Sequence, residues 1–158
     1  LLSEVITLYG TESERAYQAQ QTLVDENKKL GKELNDAKKQ AASADGGEVV
    51  TEQVGATKLA YKVFGELDAK SLRDLANNLQ KQHDDAVIAV ASTFDGKANI
   101  IVAVGKNAKG DAPALVRAAS AAVGGQGGGG KPDFAQAGGP DADKLDAAIA
   151  AIKSQLAA

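Results

Sequence analysis

The chain has 158 residues, 44% hydrophobic and 25% charged, with three Phe, three Tyr and no Trp, so any core must be aliphatic. It has no cysteine, which excludes disulfides, a thiol nucleophile and cysteine-ligated zinc. The net charge of −3 counts against phosphate binding over the whole surface, but residues 97–131 hold five bases (Lys97, Lys106, Lys109, Arg117, Lys131) against one acid, Asp111, a local balance of +4.

Residues 1–11 are ambiguous and read as the tail of an upstream element. From residue 12 to 43 the pattern is helical. Ala16, Leu23, Leu30 and Ala37 recur every seven residues, and Gln20, Asn27, Leu34 and Ala41 fill the alternate seam positions. The seam is weak, and Gly31 costs about 1 kcal/mol relative to Ala. Two readings stand: a solvated helix packed on its own or an upstream domain, or a coiled-coil arm that dimerises, with Asn27 setting register. The segment Asp45-Gly46-Gly47 is a linker, which gives a helical arm over 1–45 and a globular domain over 46–158.

The globular part opens with EVVTEQV and TKLAYKVF around Gly55-Ala56, a hairpin pattern in which Leu59, Tyr61 and Val63 share one face. Asp68 is placed to N-cap a helix running to about Gln82, with an apolar stripe of Leu72, Leu75, Ala76 and Leu79. AVIAVASTF and KANIIVAV follow, joined by Asp95-Gly96, a two-residue hairpin turn of type I′. Their near-continuous apolar character marks central strands. Pro113 suits the first turn of a helix to about Val123. Asp141 is placed to cap a last helix with the stripe Leu145, Ile149, Ile152 and Leu156. The order is a long helix, then ββαββα, a loop and a final helix, an α+β fold on a helical stalk.

Between the last two helices lies GGQGGGGKPDFAQAGGP, from Gly124 to Pro140. Gly125, Gly127 and Gly130 match a dinucleotide GxGxxG pattern, but that motif follows a strand and opens a helix, whereas here a helix precedes it. Gly130-Lys131 ends a near match to a phosphate-binding GxxxxGK[ST] loop. The next residue is Pro132, which supplies no hydroxyl for Mg²⁺ and disfavours helical geometry at Lys131. A bare glycine tether is the bland reading. Against it, Pro132 stiffens the exit, Phe134 can anchor the stretch, and Asp133 can bond backbone amides. Glycine also permits close backbone approach and an anion-binding nest of N–H groups, to which Lys131 adds a cation.

GGQGGGGKPDFAQAGG resembles the signature near the C-terminus of alanyl-tRNA synthetases, in their C-Ala region, and the module is similar to the domain associated with DHH phosphoesterases. The likeness extends through the Lys/Glu-rich helix, VGATKL, SLRDLANNL and VIAVAST-DGKANIIVAVGK, in the same order. The chain departs from the family at Gln126, where a basic residue is common, at Lys131, where Arg is common, and at Phe134, where Met is common. Lys keeps the charge of Arg but loses its bidentate fork.

The resemblance implies a domain that does no chemistry. It implies binding at the elbow of tRNA(Ala), where the D- and T-loops meet, so that the aminoacylation and editing domains can share one tRNA. It implies a cytoplasmic setting, a helical part that dimerises in some members, and ATP, Mg and Zn sites only in upstream domains. The chain starts without Met and is read as a fragment. It has no apolar run near the ~18 residues needed to span a membrane, and LLSEVITLYG has no basic n-region of a signal peptide.

The RNA-contact candidates are the Gly128, Gly129 and Gly130 backbone, Lys131, Gln136, Lys106, Lys109 and Arg117. Pro132, Asp133, Phe134, Gly138 and Gly139 are read as shaping the loop. The sole histidine, His83, is read as a helix C-cap or a solvated side chain, and Asp84-Asp85 as a polar helix exit. Two other readings remain: an oligomerisation arm, or the single-strand module of a DHH-type phosphoesterase.

Overall fold

The computed structural model describes residues 2–44 and 49–158. By its contacts the chain divides into Leu1–Lys38 and Lys39–Ala158. The linker read at Asp45-Gly46-Gly47 lies outside the described residues.

The first helix, α1, runs Leu2–Ala44, so residues 2–11 of the ambiguous N-terminal stretch are helical too. That lengthens the seam. Leu2, Ile6 and Tyr9 precede Ala16 in the same alternation of fours and threes, and Leu2, Ile6, Tyr9, Leu23, Leu30 and Leu34 are all exposed. Among the described residues, no helix is long and apolar enough to cross a membrane.

The rest is a mixed six-stranded sheet with helices on both faces. In chain order the elements are β1 (Val50–Val54), β2 (Thr57–Glu66), α2 (Ala69–Gln82), β3 (Ala86–Phe94) and β4 (Lys97–Val104). Then come α3 (Ala112–Ala122), β5 (Gly128–Lys131), β6 (Phe134–Gly139), a 3₁₀ turn (Ala142–Lys144) and α4 (Leu145–Ala157). The strand order is β1-β2-β3-β4-β6-β5. Both expected hairpins form. Gly55 takes φ +60 in the first turn, and Asp95 and Gly96 take φ 51 and 71 in the second, as a type I′ turn requires. The two hairpins are joined through β2 and β3, which pair in parallel with α2 as the crossover, the connection that parallel strands need.

Two cores flank the sheet. On one face Leu72, Ala76 and Leu79 of α2 pack on Ala60, Ile88, Val90 and Ile101. On the other, α3 and α4 bring Leu115, Val116, Ile149 and Ile152 onto Leu59, Val87, Ile100 and Val102. Strand β3 is therefore buried on both faces, which explains its unbroken apolar run. Each fully buried Leu, Ile or Val contributes about 1.5–3 kcal/mol relative to exposure.

The caps are partly as expected. Asp68 accepts from the Ser71 N–H at 3.4 Å, and His83 is the C-cap, its N–H bonding the Leu79 carbonyl at 2.8 Å. Asp141 behaves differently. Its carboxylate makes no cap bond and instead pairs with Lys144 at 2.9 Å, because the 3₁₀ turn intervenes before α4. That hydrogen bond and the carboxylate charge raise the Lys144 pKa. On the far edge Lys153 reaches from α4 to Glu52 of β1 at 2.7 Å and to the Tyr61 hydroxyl at 3.1 Å.

Candidate nucleic-acid interface

The glycine stretch is a third hairpin rather than a loop. Strand β6 pairs antiparallel with β4 through Ala98–Gly139 to Ala103–Phe134, and β5 pairs with β6 through Gly128–Ala137 to Lys131–Phe134. The strand signals used on the sequence are carried by side chains, and GGGG has none. What makes these residues a strand is the backbone ladder offered by β6.

The residues expected to shape the stretch lie in its turn, beside it and at its far end. Pro132 and Asp133 form the two-residue turn. The Pro132 carbonyl accepts from the Ala112 N–H at 3.0 Å, at the start of α3, and the Asp133 carbonyl accepts from the Val104 N–H at 2.8 Å. The Gln80 amide donates to the carbonyls of Val104 at 2.7 Å and Asp133 at 3.1 Å. Among the described residues the hydrogen bonds of Asp133 are made by its carbonyl, not by its carboxylate. Phe134 packs half-buried against the α2-side core. At the other end, α3 ends at Ala122 with Val123 as its C-cap, and Gly124 just beyond takes φ +71, the left-handed conformation favoured after a helix C-terminus. The buried Ser120 hydroxyl lies 3.2 Å from the Gly127 carbonyl and 3.1 Å from the Gly138 carbonyl, and accepts from the Gly127 N–H at 3.2 Å. Gly138 and Gly139 leave no room for side chains: a Cβ would lie 2.7 Å from the Ala98 carbonyl oxygen or 2.3 Å from that of Val123.

The strand β5 has an alternation that its letters conceal. A Cβ on Gly128 would stand 2.4 Å from the Ala137 Cβ, and one on Gly130 would stand 2.3 Å from the Phe134 carbonyl oxygen. A Cβ on Gly129 would meet nothing within 4 Å. Gly129 is paired with Gln136, and paired residues share a sheet face. That face borders a cleft of about 560 Å³ between α2 and the hairpin, lined by Arg73, Asn77, Gln80, Gly129, Lys131, Phe134 and Gln136 among others. Arg73, on α2, donates from Nη2 to the Gln136 Oε1.

A second cleft of about 590 Å³ shares Gln80 and Asp133 with the first and extends to Lys81 and Lys106. The structure thus brings Gly129, Gly130, Lys131 and Gln136 together and sets Lys106 nearby. Lys109 is exposed, and its carbonyl accepts from the Thr57 hydroxyl at 3.5 Å. Arg117 is exposed on α3, whose core lies on the sheet face opposite α2, so it lies apart from these clefts. Sequence reading missed Arg73, Asn77 and Gln80. Their spacing of four and three marks one polar face of α2, beside the buried stripe, and that was the available signal. Among the described residues no group of three or more His, Cys, Asp or Glu could hold a metal ion.

Comparison with known proteins gives consistent results. A model of the DHHA1 domain matches residues 56–158. An alanine–tRNA ligase from Granulibacter bethesdensis is 46% identical over 139 residues, covering 87% of this chain and 16% of that protein. One from Paramagnetospirillum magneticum is 43% identical over 136 residues, covering 85% and 16%. The chain thus spans about one sixth of the length of these relatives. Among solved structures, the C-Ala domain from Aquifex aeolicus alanyl-tRNA synthetase superposes with a TM-score of 0.63 at 34% identity, covering 69% of this chain and 99% of that one.

Proposed function

Because this chain belongs to the DHHA1 domain family, in the form of the C-Ala domain of an alanyl-tRNA synthetase, we propose that it binds tRNA(Ala) and does no chemistry of its own. It contacts the tRNA elbow and helps the aminoacylation and editing domains, its upstream partners, to share one tRNA in the cytoplasm. ATP, Mg and Zn act in those upstream domains. The observation that carries this reading is the hairpin edge at Gly129, free of side chains and set beside the cations Lys131 and Arg73 in one open cleft. RNA corners are recognised through shape, phosphate and 2′-OH contacts, which suit an exposed backbone flanked by donors.

The test is Lys131→Ala, measured by filter binding of tRNA(Ala) at two salt concentrations. Weaker binding and a flatter salt slope are expected, the slope falling by about 0.7–0.9 for one phosphate contact. Unchanged affinity and slope would remove Lys131 from the interface.

The exposed seam of α1 favours a second role. An alternation of fours and threes sustained from Leu2 to Ala41 is the pattern of a helix that packs against another helix. The arm pairs with a second copy of itself, and sedimentation equilibrium of the chain at tens of micromolar is expected to return a dimer. A monomer would dismiss this role.

A further inference from the structure

The contact between Arg73 and Gln136 fixes the direction of a group that is otherwise reversible. A glutamine amide has an acceptor oxygen on one side and a donor NH₂ on the other, and either can face a neighbour. A guanidinium offers only donors. Arg73 donates to Gln136 Oε1, and the reversed amide would set N–H against N–H. Nε2 is therefore the end of the amide turned away from Arg73, it has no hydrogen-bond partner among the described residues, and it belongs to a residue that lines the cleft. Arg73 and Lys131 both line the same cleft. A nearby carbonyl, that of Asp133, already accepts from Val104 and Gln80. Because Gln136 is neutral, its bond does not offset the positive charge of Arg73.

We propose that Arg73 is a positioning residue that holds the Gln136 amide donor-outward, so that this cleft takes the hydrogen-bond acceptors of RNA, namely phosphate oxygens or the acceptor atoms of a base edge. The proposal rests on the RNA-binding reading above and adds the chemistry of the site and the role of Arg73. Gly129, paired with Gln136, keeps the approach to those donors open.

The experiment combines a double-mutant cycle with NMR of the full chain. R73M removes the fixing donor and Q136L removes the amide. With a tRNA(Ala) transcript in salt high enough to screen long-range charge, each single variant is expected to bind about tenfold more weakly, the size of one good hydrogen bond to a charged or anionic partner. The double variant is expected to bind no worse than the weaker single one, and R73K, which keeps a donor, is expected to recover most of the loss. Q136E keeps the acceptor toward Arg73 and loses the NH₂, so it is expected to bind as poorly as Q136L. Additive losses, or full binding by Q136E, would overturn the proposal.

The side-chain amide resonances of Gln136 are expected to shift in R73M without RNA present. Unmoved resonances would overturn the positioning claim whatever the RNA does. A parent chain that fails to bind the transcript would instead overturn the RNA reading, with the NMR comparison still deciding the Arg73–Gln136 claim. Analogue interference separates the two acceptor sources. Interference by 7-deazapurines assigns a base edge, interference by phosphorothioates assigns the backbone, and interference by neither overturns the donor-site chemistry.

Discussion

Replacing Gly129 and Gly130 by alanine, one at a time, separates a glycine needed by the fold from one kept for a ligand. Gly130→Ala would place the new methyl 2.3 Å from the Phe134 carbonyl oxygen and 2.6 Å from the Ala135 Cα. Both are backbone atoms in the paired strand, so β5 and β6 must part. Overpacking of this kind costs about 1–3 kcal/mol, which lowers Tm by roughly 3–15 °C in a domain of this size. With Gly129→Ala the methyl meets nothing within 4 Å, and the backbone at that position does not take a positive φ. Removing a glycine from the unfolded chain at a compatible site stabilises by about 0.4–1 kcal/mol, so Tm is expected to hold or rise slightly. The new methyl nevertheless projects into the cleft on the Gln136 face. If RNA comes to contact distance there, losing about 1.4 kcal/mol of interaction is a tenfold rise in Kd. The assay is thermal unfolding together with filter binding of tRNA(Ala) for both variants. A Gly129→Ala protein with unchanged Tm and unchanged affinity refutes the open-approach argument. One that unfolds as readily as Gly130→Ala refutes the alternation.

Two further outcomes concern what holds the hairpin and the far edge of the sheet. Ser120→Ala leaves the Gly127 N–H and the Gly127 and Gly138 carbonyls without the hydroxyl that joins them. A loss of about 1–3 kcal/mol is expected, and amide exchange should quicken at Gly127 more than in β3. The Lys153 pKa is raised, first by its hydrogen bond to Glu52 and then by that to Tyr61. A lysine whose folded pKa exceeds its unfolded value near 10.4 stabilises fully below that value and loses the contribution as pH climbs through the folded pKa. Lys153→Met is therefore expected to cost about 0.5–1 kcal/mol at pH 7–9, given the partly exposed pair, and the gap from the parent should close above roughly pH 10.5. A gap that widens in alkali would contradict this.

The elements that were legible in the sequence are those whose side chains report their surroundings. The stripe Leu72, Leu75, Ala76 and Leu79 named the buried face of α2, and the stripe Leu145, Ile149, Ile152 and Leu156 did the same for α4. Asp95-Gly96 specified both turn residues by their backbone needs. The parallel pairing of β2 with β3 was not legible, because β2 alternates much as an antiparallel strand does and nothing local encodes a crossover partner. Asp141 misleads because a capping residue is read by its distance from the helix, and the three-residue 3₁₀ turn moves α4 away from it. The start of α1 is hidden for a different reason: residues 1–11 look irregular unless the seam is followed back through Tyr9, Ile6 and Leu2.

The candidate site was the least legible part, for a reason specific to glycine. Pattern reading relies on contrast between neighbours, and four identical residues offer none. The structure supplies the contrast: Gly128 and Gly130 are small because the paired strand fills their side, whereas Gly129 faces the cleft. The same geometry explains how an acidic chain can present a basic site. Attraction for phosphate depends on charge within about one Debye length, roughly 8–10 Å at physiological salt. Among the described residues that line the cleft, Lys131 and Arg73 are opposed by the single carboxylate of Asp133, while much of the acidic surplus lies on other elements. On the proposed reading, so few cations would give a modest affinity for RNA that falls with salt. On the tRNA-binding reading proposed above, tight capture would require other RNA-binding surfaces on the same chain, where effective concentration multiplies weak contacts.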